Sequence, residues 1–185
     1  MSEPNHTLVQ AARHNDRSAW DALLRGYQLP LFAYANGLAR DREAAFDIVQ
    51  ETFVRAVAHV GGLRDDARFG SWLFGIAHQC CVRHFRSTRR EDALFAEEGP
   101  DGMDGVAGNE PDPRIAMLSA ERADRLYALV DQLPVGQRSA LLLHVIGDFS
   151  LEEIAVIASV PVGTVKSRLH HAKRSLRDLI KEETP

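Results

Sequence analysis

Apolar residues recur at helical spacing along most of the chain, and runs with the two-residue alternation of strands are nearly absent. The pattern predicts helices over Thr7–Arg13, Ser18–Leu38, Arg42–Val60 and Ser71–Arg89 in the first half. In the second half it predicts them over Ile115–Gln132, Gly136–Ile146, Leu151–Ala158 and Gly163–Lys181. In the third of these segments Phe46, Val49, Phe53, Ala56 and Val60 make one apolar stripe, while Asp47, Gln50, Glu51 and Val54 share a second face open to a partner. The expected fold is all-α: two helical domains, each with its own core, joined by a flexible acidic linker. The domains are expected at residues 1–91 and 114–185, with the linker at 92–113. No internal repeat is present.

The segment SLEEIAVIASVPVGTVKSRLHHAKRSL, Ser150 to Leu176, has the most specific local grammar. Ser150 and Glu153 have the spacing of a capping box, and Leu151, Ile154, Ala155 and Ala158 follow on one helix face. Ser159, Val160 and Pro161 end that helix, and Gly163 and Thr164 open the next. There Val165, Leu169, Ala172 and Leu176 form the buried stripe and the remaining face is basic. Two short helices, a tight turn and a basic second helix make the pattern of a helix-turn-helix, although an ordinary helical hairpin with a solvated basic face fits the segment alone about equally well.

Charge sharpens this picture. The formal net charge of -4 is unusual for a DNA-binding chain, but it is unevenly distributed. Ala67 to Arg90 contains no acid and carries Arg68, Arg83, Arg86, Arg89 and Arg90. Glu91 to Asp112 contains Glu91, Asp92, Glu97, Glu98, Asp101, Asp104, Glu110 and Asp112 without one Lys or Arg. The acidic balance therefore belongs to the linker, which is also rich in Gly and Pro. No apolar run approaches the roughly 20 residues that span a bilayer, and MSEPNHTLVQ lacks a charged-then-apolar leader. A cytoplasmic protein without membrane insertion is the expectation. The only cysteines, Cys80 and Cys81, are adjacent and do not suggest a disulfide framework.

The helix over Ser71–Arg89 combines aromatics with cations, the composition that holds separated strands: bases stack on rings while arginine neutralises phosphate. Phe69, Trp72, Phe74 and Phe85 are the aromatic candidates, with most of them, and Leu73 and Ile76, favoured as core. His78, Cys80, Cys81 and His84 cluster on the same helix, but four neighbouring positions of one helix do not converge on one ion, so no metal site is expected. Asp47 and Glu51 could act as paired carboxylates, but no nucleophile, base or ligand set accompanies them. No catalytic residues and no cofactor are expected. A metal-dependent enzyme built on His78, Cys81 and Asp47 is correspondingly disfavoured.

Three segments in order carry a family resemblance that covers almost the whole chain. YQLPLFAYANGLARDREAAFDIVQETFVRAV contains an Asp-x-x-Gln-Glu-x-Phe signature at Asp47, Gln50, Glu51 and Phe53; FGSWLFGIAHQCCVRHFRSTRR follows it. LPVGQRSALLLHVIGDFSLEEIAVIASVPVGTVKSRLHHAKRSL lies beyond the acidic linker. These segments resemble the sigma-70 family of sigma factors, in the small two-domain extracytoplasmic-function group. The resemblance implies that Asp47, Gln50, Glu51 and Phe53 contact core RNA polymerase. It implies that Trp72, His78, Gln79, Arg83 and Arg86 read and open the -10 element. It implies that Thr164, Lys166, Ser167, Arg168, His170, His171 and Lys173 contact the -35 element. Gln79 stands where the family frequently has Asn and Arg83 where it frequently has Asp, so the family's -10 sequence does not transfer. Core RNA polymerase, promoter DNA and an anti-sigma factor are the implied partners. A conventional regulator that binds duplex DNA unaided is the alternative, against which the first two segments argue.

Overall fold

A computed structural model of the protein describes residues 6–87 and 128–182. The expected linker and most of the helix expected over Ile115–Gln132 lie outside them. The first set of helices is α1 (His6–Arg13), α2 (Arg17–Ala39), α3 (Arg42–His59) and α4 (Phe69–Ser87), with two 3₁₀ turns, Val60–Gly62 and Asp66–Arg68, before α4. After a helical end at 128–130, the second set is α5 (Val135–Gly147), α6 (Leu151–Ala158) and α7 (Val162–Glu182). The described residues contain no strand.

Local chemistry explains most boundaries. Asp16 caps α2 by accepting from Ala19 N at 3.0 Å, and Asp41 caps α3 by accepting from Glu43 N at 2.9 Å and Ala44 N at 3.1 Å. The capping box of α6 is present in both directions: Glu153 N donates to Ser150 Oγ at 3.2 Å, and Ser150 N donates to Glu153 Oε2 at 2.9 Å. Arg40, Asp148 and Ser159 end α2, α5 and α6 in the left-handed region, with φ of 55°, 54° and 55°. Trp20 Nε1 donates to the Ala12 carbonyl at 3.1 Å and fixes α1 against α2.

The buried residues form one continuous cluster instead of two separate cores. In the first lobe Leu31, Tyr34, Leu38, Phe53, Phe69, Leu73 and Phe74 are buried, and the second lobe contributes Leu142, Leu143, Phe149 and Ile154 to the same interior. Close approach of α2 and α5 makes this possible. A Cβ on Gly37 would lie 2.7 Å from Leu142 Cδ1, so any larger residue at that point would displace the leucine. The two-core expectation fails because hydrophobic periodicity shows that a face is buried without showing which face covers it.

The α3 stripe also differs from expectation at one end. Val49, Phe53, Ala56 and Val60 are buried, but Phe46 is 50% exposed. Its ring lies 4.6 Å from that of Phe32, with the Arg42 guanidinium 5.8 Å from its centroid. An aromatic at the rim satisfies its apolar surface with a second ring and a cation instead of the interior.

Candidate nucleic-acid and polymerase interface

Helix α3 offers Asp47 and Gln50 to solvent, beside Val54, which is 64% exposed. Glu51 is half-buried and engaged within the lobe. It accepts from Arg55 Nε at 3.0 Å and from Arg83 Nη1 of α4 at 2.6 Å. A residue expected at the polymerase and one expected at the -10 strand are therefore bonded to each other. Both side chains of the Glu51–Arg83 pair are largely solvated, so the pair orients the two helices without adding much stability. Phe53 is buried in the core, where it shapes the helix instead of presenting a ring to a partner.

The expected readers on α4 divide between two faces. Trp72 is half-buried against Phe69, their ring centroids 5.8 Å apart, and Gln79 is exposed. Both line a cleft of about 1010 Å³ whose basic side chains include Arg55, Arg64 and Arg68 and whose far wall is α6. Phe69, Phe74 and Phe85 belong to the core. Arg86 falls in the last turn of α4, and its side chain lies outside the described residues.

His78 points the other way and is buried. Tyr34 Oη lies 2.8 Å from His78 Nδ1 and 3.1 Å from Ser139 Oγ of α5, joining residues of both lobes in one buried chain. Burial first, and then the Arg168 charge, lower the His78 pKa from its ordinary 6.5 to about 4, so the ring is neutral at neutral pH. The unfolded chain binds this proton below about 6.5 and the folded one only near 4, so acid favours unfolding across that window. The expected loss between neutral pH and about pH 4 is roughly 3 kcal/mol. Urea titrations of the wild type and His78→Gln at pH 7 and pH 4.5 check this, because the variant is expected to show a flatter pH dependence. Equal slopes would show that His78 is not held neutral.

On α7, Lys166 and His170 are exposed, while Thr164, Ser167, His171 and Lys173 are half-buried. The His170 and His171 rings lie edge to face at 5.6 Å. Arg168 turns inward. Its Cζ lies 2.9 Å from where a Cβ on Gly136 would stand, and its buried Nε has no hydrogen-bond partner among the described residues. Val165, Leu169 and Ala172 are buried as the pattern predicts, with Leu176 half-buried.

Sequence reasoning missed the residues that join the lobes. Arg40 Nε donates to Asp131 Oδ1 at 3.1 Å, and Arg138 Nη1 donates to the same oxygen at 3.3 Å. Arg138 is 3% exposed, and burial lowers its pKa to about 10. The polar triplet Gln137, Arg138 and Ser139 inside an otherwise apolar helix was the available signal, since such residues are rarely buried without partners. Burial raises the thiol pKa of both Cys80 and Cys81, away from reactive thiolate. Among the described residues no three His, Cys, Asp or Glu side chains come together as a metal site, and no helix is long and apolar enough to cross a membrane.

Comparison with known proteins places this geometry. Residues 23–91 match the family "Sigma-70 region 2" and residues 123–176 match "Sigma-70, region 4". The RNA polymerase sigma-H factor of Pseudomonas aeruginosa is 30% identical over 188 residues, covering 97% of each chain. The ECF RNA polymerase sigma factor SigW of Bacillus subtilis is 27% identical, covering 94% of this chain and 95% of its own. Among solved structures, CnrH in complex with the cytosolic domain of CnrY shares the fold, with a TM-score of 0.70 at 21% identity, covering 98% of this chain and 99% of its own. The sigma factor RpoE of Bartonella quintana, in complex with the anti-sigma factor NepR, shares it with a TM-score of 0.61 at 24% identity, covering 88% of this chain and 98% of its own. With both regions matched in order and near-complete coverage of its relatives, the chain belongs to the sigma-70 family of RNA polymerase sigma factors, in the extracytoplasmic-function group.

Proposed function

We propose that this chain is a dissociable specificity subunit that binds core RNA polymerase and directs initiation at promoters with a -10 and a -35 element. The observation that supports the reading best is the pairing, in the family's order, of a basic aromatic-bearing helix, α4, with a basic helix-turn-helix, α6–α7. In this reading Asp47 and Gln50 dock on core polymerase, and Glu51 holds α4 in position through Arg83. Trp72 and Gln79 meet the -10 strand in α4's cleft, with His78 joining them when its buried face is released. Stacking on Trp72 is worth about 1 to 3 kcal/mol per base, enough to help trap a base that has left the duplex. Lys166, Ser167, His170, His171 and Lys173 face the -35 duplex, with Thr164 at the helix start.

Polymerisation belongs to the core enzyme, and this chain contributes binding energy and positioning. It acts where the polymerase acts, in the cytoplasm. Because the Bartonella quintana relative is seen with an anti-sigma factor, an anti-sigma partner belongs to the same proposal.

The testing experiment is transcription from a genomic promoter library by purified core polymerase, with and without the protein, mapping start sites. New starts that share a two-part upstream motif are expected. No new starts, together with failure to co-elute with core, would favour a conventional regulator. On the promoter so defined, Lys166→Ala is expected to weaken -35 duplex binding and to reduce the slope of log affinity against log salt by about one phosphate contact, ~0.9. Anisotropy titrations between low and high salt check it, and unchanged affinity at both would remove Lys166 from the interface.

A further inference from the structure

We propose that the chain masks its own -10 reading face: packed as they are here, α5 and α6 cover the two sides of α4 that promoter DNA would meet, so DNA binding requires the lobes to separate. This rests on the sigma reading of α4 and adds a control step to it.

Three observations carry the inference. First, the cleft that holds Trp72 and Gln79 is walled by α6 of the second lobe. Glu152, exposed at the N-terminal end of α6, lines it together with Arg64 and Arg68, so a carboxylate shares the basic groove in which a phosphate backbone would lie. Second, one expected reader from each lobe is withdrawn from solvent at the junction. His78 is 8% exposed and reaches Ser139 through the Tyr34 hydroxyl, and Arg168 is folded over Gly136 with a buried Nε. Third, the junction is built like an interface and not like a loose contact between tethered bodies. Its centre is apolar and fitted: Gly37 receives Leu142, and the Phe74 and Phe149 rings meet edge to face at 5.1 Å. Its rim carries the Arg40–Asp131 ion pair.

The polymerase-facing residues are not masked. Asp47 and Gln50 stay exposed in the closed arrangement, so core polymerase can dock on α3 first. DNA-reading surfaces then become available only on a protein already placed on its enzyme. A free subunit so built does not occupy promoters or bind single strands unproductively.

The decisive test is a reversible lock. A Cβ at position 37 would lie 3.7 Å from Leu142 Cγ, so Gly37→Cys combined with Leu142→Cys places two thiols within disulfide reach and removes the leucine that would clash. In the full chain, mild oxidation is expected to join the thiols introduced at 37 and 142, as mapped by peptide mass spectrometry. The oxidised protein is expected to co-elute with core polymerase but to lose at least tenfold in transcription, and dithiothreitol is expected to restore it. Failure of the thiols to pair, or full transcription by the oxidised form, would overturn the proposal.

A second variant reads the same idea without polymerase. Gly37→Leu drives a side chain into the space of Leu142 and forces α2 from α5, since the three atoms nearest that Cβ position all belong to Leu142. The free variant is expected to bind a fluorescein-labelled single strand of a promoter defined with the wild type at least tenfold more tightly than wild type, with unchanged helicity by circular dichroism. Equal affinity with native helicity would overturn the masking. Absence of transcription by the wild type with core would instead count against the sigma reading, and thiol pairing in the free protein is scored independently of it.

Discussion

Asp47→Arg is expected to lower transcription directed by this chain by at least about 30-fold, the factor equivalent to the ~2 kcal/mol that marks an interface hot spot. Asp47 stands with Gln50 on the solvent-facing side of α3, and the buried residues of that helix, Ile48, Val49, Thr52 and Phe53, are on the side that meets the core. A charge reversal at 47 therefore changes what a partner meets without changing what the fold is made of. The α3 N-cap at Asp41 and the Glu51–Arg83 pair remain. Co-elution with core polymerase is expected to fall in parallel with transcription, while the melting temperature stays within about 3 °C, as for an exposed substitution worth no more than about 0.5 kcal/mol in either direction. Undiminished transcription would move the docking surface elsewhere. A fall in melting temperature as large as that of a core variant would mean that Asp47 is structural.

The largest effect on stability is expected from Phe74→Ala, about 3 to 5 kcal/mol. Phe74 is fully buried and its ring meets Tyr34 at 5.6 Å and Phe149 at 5.1 Å, so one truncation opens a cavity at the meeting point of α2, α4 and the second lobe. Because the core is continuous, the loss is expected to appear as one shifted urea transition reported alike by probes in both lobes. Two separated transitions in the wild type, only one of them moved by the substitution, would show that the lobes fold independently.

Much of this architecture was legible from periodicity. Helix boundaries fall within two residues of expectation for α1 through α4 and α5 through α7, because caps such as Asp16, Asp41 and Ser150 and the Ser159–Pro161 break are local signals that no distant contact overrides. The exposed face of α3 and the buried stripe of α7 were legible for the same reason. What the pattern could not carry was pairing between distant segments. Gly37, Tyr34 and Ser139 look ordinary in sequence, and only the packing of α2 on α5 gives them a common role. The inward turn of His78 and Arg168 was likewise unreadable. A polar side chain on a helix next to an apolar stripe is compatible with either orientation, and the choice is made by whichever element arrives from the other lobe. Phe46 shows the converse: an apolar residue in register with the stripe that ends at the rim, satisfied by Phe32 and Arg42.

The seat that Gly37 provides for Leu142 has a consequence for how such a chain drifts over generations. Position 37 can accept a side chain only if position 142 gives one up, so neutral change at either site is gated by the other even though each lies well inside its own lobe. Exchange of a second lobe between lineages would then bring together surfaces with no shared history. The mismatch would be felt at this glycine before it was felt at any DNA-reading residue.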